Sequence, residues 1–156
     1  MPPTRTRLKA VFDRIRNPAW LCFLWAGLTA GISLLEAPVK FTAPTLTREV
    51  ALDVGRVVFQ ALNRVELALL ILLLVLVRVS DRTKDYWAWC AVLALIMIAQ
   101  SAWLLPELSQ RAESIVGGVE PGPSIAHGAY AVSEIAKLVT LLLLGFRLMP
   151  EGPRAP

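Results

Sequence analysis

The chain has a single histidine, His127, and two cysteines, Cys22 and Cys90. One imidazole does not make a metal centre, and completing a ligand set from Glu36, Glu66 or Glu134 would follow no recognised ligand spacing. Haem ligation would ask for a second histidine or a methionine partner, and Met97 is the only methionine well inside an apolar segment. The cysteines form no C-x-x-C motif, which argues against a thiol-redox site, and both read as small apolar filler. There is also no G-x-S-x-G, H-E-x-x-H or P-loop. The expectation is therefore a protein that is not an enzyme, with no catalytic residue, no metal and no cofactor.

What the chain has in quantity is apolar surface. Hydrophobic residues make up 56% of its 156 residues and the mean hydropathy is +0.58, beyond the apolar share of a soluble domain. Four windows, at about residues 19–37, 54–79, 86–105 and 124–148, approach the roughly twenty apolar residues that cross a bilayer core about 30 Å thick. Backbone in lipid must satisfy its own hydrogen bonds, so these windows are helices. The expected fold is all-α: an integral membrane four-helix bundle forming one domain over residues 1–156.

The formal charge of +4 suggests topology and not nucleic acid, because its carriers are segregated. Arg5, Arg7, Lys9, Arg14 and Arg16 precede the first window. Arg78, Arg82 and Lys84 flank the second turn, and Arg147 and Arg154 follow the fourth window. With four crossings all ten lie on one side, against Lys40, Arg48, Arg56 and Arg111 on the other. The positive-inside rule then makes both termini cytoplasmic. The basic N-terminal segment also suits the anionic cytoplasmic leaflet. A cleaved signal peptide is disfavoured, since the first apolar run is long and no A-x-A-like site closes it. Trp20, Trp25, Tyr86, Trp87 and Trp89 cluster near the presumed cytoplasmic ends, as an interfacial belt would.

Polar residues within the windows repeat at helical spacing. Arg56, Gln60, Asn63 and Glu66 form one stripe, with Arg64 at its edge; His127, Tyr130, Glu134 and Lys137 form another. Thr29, Ser33 and Glu36 make a shorter stripe, and Gln100 and Ser101 add to the third window. At about 1.5 Å per residue, Glu66 lies roughly 18 Å above Arg78 and Glu134 roughly 20 Å above Arg147. The stripes thus occupy the outer halves of their helices, above Leu70, Leu73, Leu74, Leu141, Leu144 and Leu148. The pattern describes an outward-open polar cup on an apolar floor. Ionisable groups at that depth cost about 2.5–3.5 kcal/mol each, so they should pair. Glu66 with Lys137, and Glu134 with Arg64, match in height. One reading makes Glu36, Arg56, Gln60, Asn63, Glu66, His127, Tyr130, Glu134 and Lys137 a site that binds or passes a small polar solute or ion. The alternative is a scaffold or accessory protein whose charge pairs only fix helix register. A small proton-coupled exporter is weaker, because two nearby cations oppose a free protonatable carboxylate.

The connections carry signals of their own. Thr45 or Thr47 can cap a helix with Glu49 in its first turn, so the second helix would start outside the membrane, near Thr47. The stretch PELSQRAESIVGGVEPGPS, rich in glycine and proline, reads as a loop, with Ser124 capping the last helix. The short turn SDRTKD makes the second and third helices antiparallel neighbours. Gly27 and Gly31 form a G-x-x-x-G opposite the polar stripe of their helix. They suit close packing against another helix of the chain or, alternatively, a homodimer seam.

The positions Leu35, Glu36, Ala37, Pro38, Lys40, Phe41, Ala43 and Pro44, followed by Gly55, Arg56, Val58, Phe59, Ala61, Leu62, Asn63 and Glu66, spell L-E-A-P-x-K-F-x-A-P and G-R-x-V-F-x-A-L-N-x-x-E. In this quarter of its length the chain resembles small bacterial four-span inner-membrane proteins of no assigned activity. More distantly, the layout is similar to the membrane domain of copper-resistance protein D. The resemblance implies a fold and no activity, and the chain lacks the additional histidine and methionine ligands of a copper site.

Overall fold

A computed structural model describes residues 17–79 and 86–149. The basic N-terminal segment, the turn carrying Arg82 and Lys84, and Arg154 lie outside the described residues. Within them the chain is helical with no strand, in four continuous rods: α1 (Ala19–Thr42), α2 (Arg48–Val79), α3 (Trp87–Val116) and α4 (Ala126–Leu148). By length and composition α1, α3 and α4 are long and apolar enough to cross a membrane. Helix α2 is 32 residues long, or about 48 Å at 1.5 Å per residue, so its polar outer part extends past the apolar stretch.

Four helix ends meet at one pole. The Asn17 side chain accepts from the Ala19 N–H (2.9 Å) and donates to the Leu148 carbonyl (3.0 Å), tying the start of α1 to the end of α4. The Tyr86 hydroxyl donates to the Arg147 carbonyl at 3.3 Å, and the Arg147 guanidinium lies 4.9 Å from the centre of the Trp89 ring. Above these ties sits the main core: Leu21, Cys22 and Trp25 of α1, Leu70, Leu73 and Val77 of α2, Cys90, Leu93 and Met97 of α3, and Leu141, Leu144 and Leu148 of α4. This is the expected apolar floor, except that Leu74 is only partly buried. A smaller cluster of Leu104, Leu105 and Tyr130, with Phe59 against it, lies in the other half.

Two helices run further than their sequence suggests, for one shared reason. Sequence reading ends α1 at Ala37 and α3 at Leu105, each directly before a proline, because the residue preceding proline disfavours the helical region. Both helices instead continue, to Thr42 and to Val116. A π-helical stretch precedes each proline: Ala30–Glu36 before Pro38, and Gln100–Leu104 before Pro106. A proline removes an N–H and pushes against the carbonyl four residues back. The wider i→i+5 turn offers room for both effects. The expected loop from Pro106 onward is therefore helix as far as Val116. Helix α3 closes on the two adjacent glycines: the Gly118 N–H donates to the Ile115 carbonyl and the Val119 N–H to the Ser114 carbonyl, with φ of +80° at Gly118. That arrangement is a Schellman cap, which favours glycine at the left-handed residue.

Thr47 starts α2. Its carbonyl accepts from the Ala51 N–H at 2.9 Å, while its hydroxyl is a longer 3.4 Å from the Val50 N–H. The helix-start N–H of Glu49, then the Thr47 hydroxyl, hold the exposed Glu49 carboxyl below its ordinary range. Ser124 accepts from the Ala126 N–H at 3.1 Å at the head of α4. The G-x-x-x-G of α1 does not pack as expected within the chain: no atom of another helix lies within 4 Å of a Cβ built at Gly27 or Gly31. The close α1–α4 approach falls at Gly145, whose added Cβ would stand 3.0 Å from the Phe23 ring and 3.3 Å from Cys22.

Candidate functional site

The polar stripes converge, but they divide into three groups instead of lining one cup. At mid-height a closed network joins all four helices. Lys137 of α4 is fully buried and uses each of its three N–H donors: on Glu66 Oε2 (2.7 Å), Glu134 Oε1 (2.7 Å) and Gln100 Oε1 (3.0 Å). Glu66 of α2, also fully buried, accepts from the Trp25 indole N–H (2.9 Å) and the Thr29 hydroxyl (2.8 Å) of α1. Gln100 of α3 donates through its Nε2 to Glu134 Oε1 (2.7 Å) and Ser133 Oγ (2.8 Å), and Ser33 of α1 donates to Glu134 Oε2 (2.6 Å). Every member has partners, which buried ionic groups require. The expected Glu66–Lys137 pair is present. The expected Glu134–Arg64 pair is not: Lys137, one helical turn along α4, takes Glu134, and Arg64 points away into an exposed position on α2.

A second group ties α2 to α3. Asn63 and Ser101 exchange hydrogen bonds at 3.0 and 3.2 Å, and Gln60 donates to Ser109 at 3.2 Å. Neither Gln60 nor Asn63 lines the cavity of the third group, and their amides hold the two helices together.

The third group surrounds a cavity of about 530 Å³ in the half of the bundle away from the Asn17–Leu148 tie. All four helices line it: Ser33, Leu34 and Lys40 of α1; Gly55, Arg56 and Phe59 of α2; Leu105, Leu108 and Ala112 of α3; His127, Tyr130, Ala131, Glu134 and Ile135 of α4. The walls are mostly apolar, the usual make-up of a ligand pocket with a few placed polar groups. Glu134 belongs to both cavity and network and forms the cavity's polar base. Tyr130 is buried with its ring 5.4 Å from that of Phe59, edge to face. Arg56 is already paired, with Asp53 (2.7 Å) and Glu113 (3.2 Å). His127 sits exposed at the rim. Glu66, the centre of the expected cup, is sealed beneath the cavity and does not line it.

No protein-family model, curated protein or solved structure matches the chain. The site must therefore be read from its own chemistry.

Two residues of that chemistry escape sequence reading. Trp25 is not an interfacial anchor; it is fully buried and donates to Glu66. Its spacing of four from Thr29 was the available signal, since both then meet the same carboxylate. Lys40 falls near the proline turn that suggested a loop, so its side chain was expected outside. In the structure that side chain is only 9% exposed and lies across the cavity wall. Its spacing of four from Glu36 hinted at helix, although the proline between them argued otherwise.

Proposed function

We propose that the chain is a four-span membrane protein, with both termini cytoplasmic, that binds a small ligand in the outer-half cavity. Three helices of spanning length support membrane residence. For α2 the support is its uninterrupted apolar run from Leu67 to Val77. The segregation of basic residues supports the orientation, and the surrounding bilayer is then the first partner. The observation that carries the binding reading is the cavity itself: about 530 Å³, walled by all four helices and closed below by the buried network and leucine core. A concave, mostly apolar space with a few placed polar groups is the usual form of a small-molecule site.

The scaffold reading draws on a different observation. Glu66 and Lys137 are fully buried and hydrogen-bonded, and neither lines the cavity. The two readings apply to different layers: the network locks the bundle, and the cavity above it takes the ligand. Passage of an ion through the whole molecule would have to break that network and cross the leucine core, so binding is favoured over permeation. A free proton-carrying carboxylate is likewise disfavoured, because Glu66 and Glu134 both contact Lys137.

Ligand binding raises the unfolding midpoint in proportion to the logarithm of ligand excess over Kd. A panel of small polar solutes and amphiphiles, screened by thermal unfolding of the detergent-solubilised protein, should contain a class that raises the midpoint. The same class should do nothing to Ala112→Trp, which fills the cavity. A panel with no effect on the wild type, or equal shifts in both proteins, overturns the binding reading in favour of the scaffold.

A further inference from the structure

Lys40 is the anomaly of the cavity. Its ammonium has less than 1 Å² of exposed surface and no hydrogen-bond partner among the described residues. The other outer cations are engaged: Arg48 with Glu120, Arg56 with Asp53 and Glu113, and Arg111 with the Gly122 carbonyl. The nearest acidic atom to Lys40 is Glu36 Oε2 at 3.6 Å, which balances charge but is too far for a hydrogen bond, and that oxygen is itself unpartnered. Lys40 Nζ is held among aromatic faces, 5.5 Å from the Phe59 ring centre and 5.8 Å from that of Phe41. Gly55 makes the position available: a Cβ there would stand 2.7 Å from Lys40 Nζ. Buried ammonium groups ordinarily find acceptors, and this one, paired with Glu36 by charge alone, stands in the cavity wall with none at hydrogen-bond distance.

The walls specify the rest of the ligand. Leu34 of α1 and Ala131 and Ile135 of α4 line the cavity and are also exposed on the outside of the bundle. Besides its mouth at Arg56 and His127, the cavity therefore opens sideways between α1 and α4, above the point where Gly145 brings the two helices together. Ile135 is thirteen residues from Leu148, about 20 Å along the helix at 1.5 Å per residue. In the four-span reading that opening faces lipid.

We infer that the cavity accepts an amphiphile from the outer leaflet, its anionic phosphate or carboxylate head on Lys40 and its apolar part between α1 and α4. The inference rests on the binding reading above and names its ligand class. Glu134 repels an anion from the base of the cavity, so the head lies toward Lys40, where it shares the ammonium with Glu36, and the tail lies toward the apolar walls. Without ligand the Lys40 ammonium has its charge balanced by Glu36 but no acceptor at hydrogen-bond distance among the described residues.

The test uses the full chain in non-ionic detergent and native mass spectrometry to measure binding of decyl phosphate, decanol, decyltrimethylammonium and inorganic phosphate. Decyl phosphate should bind one to one. Lys40→Gln should weaken it at least tenfold and Lys40→Arg should largely restore it, while Arg64→Gln, whose side chain lies away from the cavity, should change nothing. Inorganic phosphate should bind at least tenfold more weakly than decyl phosphate. Equal binding of decyl phosphate by wild type and Lys40→Gln overturns the role of Lys40, as does equal binding of the decyltrimethylammonium cation. Equal binding of decyl phosphate and inorganic phosphate overturns the membrane source in favour of a free anion. If decanol binds as well as decyl phosphate and Ala112→Trp abolishes both, the cavity binds ligands and the anion inference alone fails. If none of the probes binds, both fail.

Discussion

Lys137 touches three acceptors from three helices and leaves none of its donors free. Removing it strands two buried carboxylates, and breaking a buried pair from one side costs about 3–5 kcal/mol. Lys137→Met should lower the unfolding midpoint sharply, whereas Glu66→Gln combined with Lys137→Met should recover part of that loss, because only Glu134 is then left without its cation. Unfolding curves of the two variants in detergent give the comparison. A double variant as unstable as the single one would mean that the charges do not form the unit described. This network was largely readable in advance: Thr29, Glu66, Gln100, Glu134 and Lys137 announce themselves as polar residues at matching depth in apolar helices. The pairing of Glu134 was not readable, because helical spacing cannot rank Arg64 against Lys137 without knowing which way α2 faces.

At the level of the helices, the informative residues are prolines and glycines. Pro38 and Pro106 mark the ends of apolar windows correctly but not the ends of helices, since a π-helical turn before each lets the rod continue. The consequence for the site is direct. The continuation of α1 carries Lys40 back over the cavity, and that of α3 supplies Leu108 and Ala112 to its wall. Sequence periodicity assumes about 100° per residue throughout, so it does not anticipate a local change of register. Glycines likewise divide by environment. Gly145 faces Phe23 and Cys22, so Gly145→Leu should overpack the α1–α4 contact at a cost of about 1–3 kcal/mol. Gly27 has no atom of another helix among the described residues within 4 Å of an added Cβ, so Gly27→Leu should be neutral or stabilising in the monomer by up to about 1 kcal/mol, the helix-propensity gain over glycine. Unfolding midpoints of the two variants should fall in that order; a larger loss at Gly27 would contradict the α1–α4 packing described. If the proposed homodimer forms on the Gly27 and Gly31 face, Gly27→Leu should also shift the protein to monomer in sedimentation, an outcome separate from its effect on stability.

Across the whole molecule the four helices make two layers with opposite chemistry. The half nearest the chain ends is packed with leucine and holds no cavity lining; the other half carries the cavity, the rim charges and the loop capped by Gly118. Between them lies the hydrogen-bonded ionic plate of Glu66, Gln100, Glu134 and Lys137. That separation is the reason for reading the protein as a binder with a sealed floor and not as a conduit. It also gives the molecule a direction that cysteine chemistry can detect, because both native thiols are buried in the leucine layer. The most direct measurement is labelling of intact cells by a membrane-impermeant maleimide in a Cys22→Ala, Cys90→Ala background. Ala112→Cys, in the cavity wall, should be labelled from outside and protected when the cavity is filled by decyl phosphate, while Leu141→Cys, below the plate, should stay unreactive. Labelling of Leu141→Cys from outside, or failure to label Ala112→Cys in a protein shown to be folded, would contradict an outward-open cavity above a closed floor.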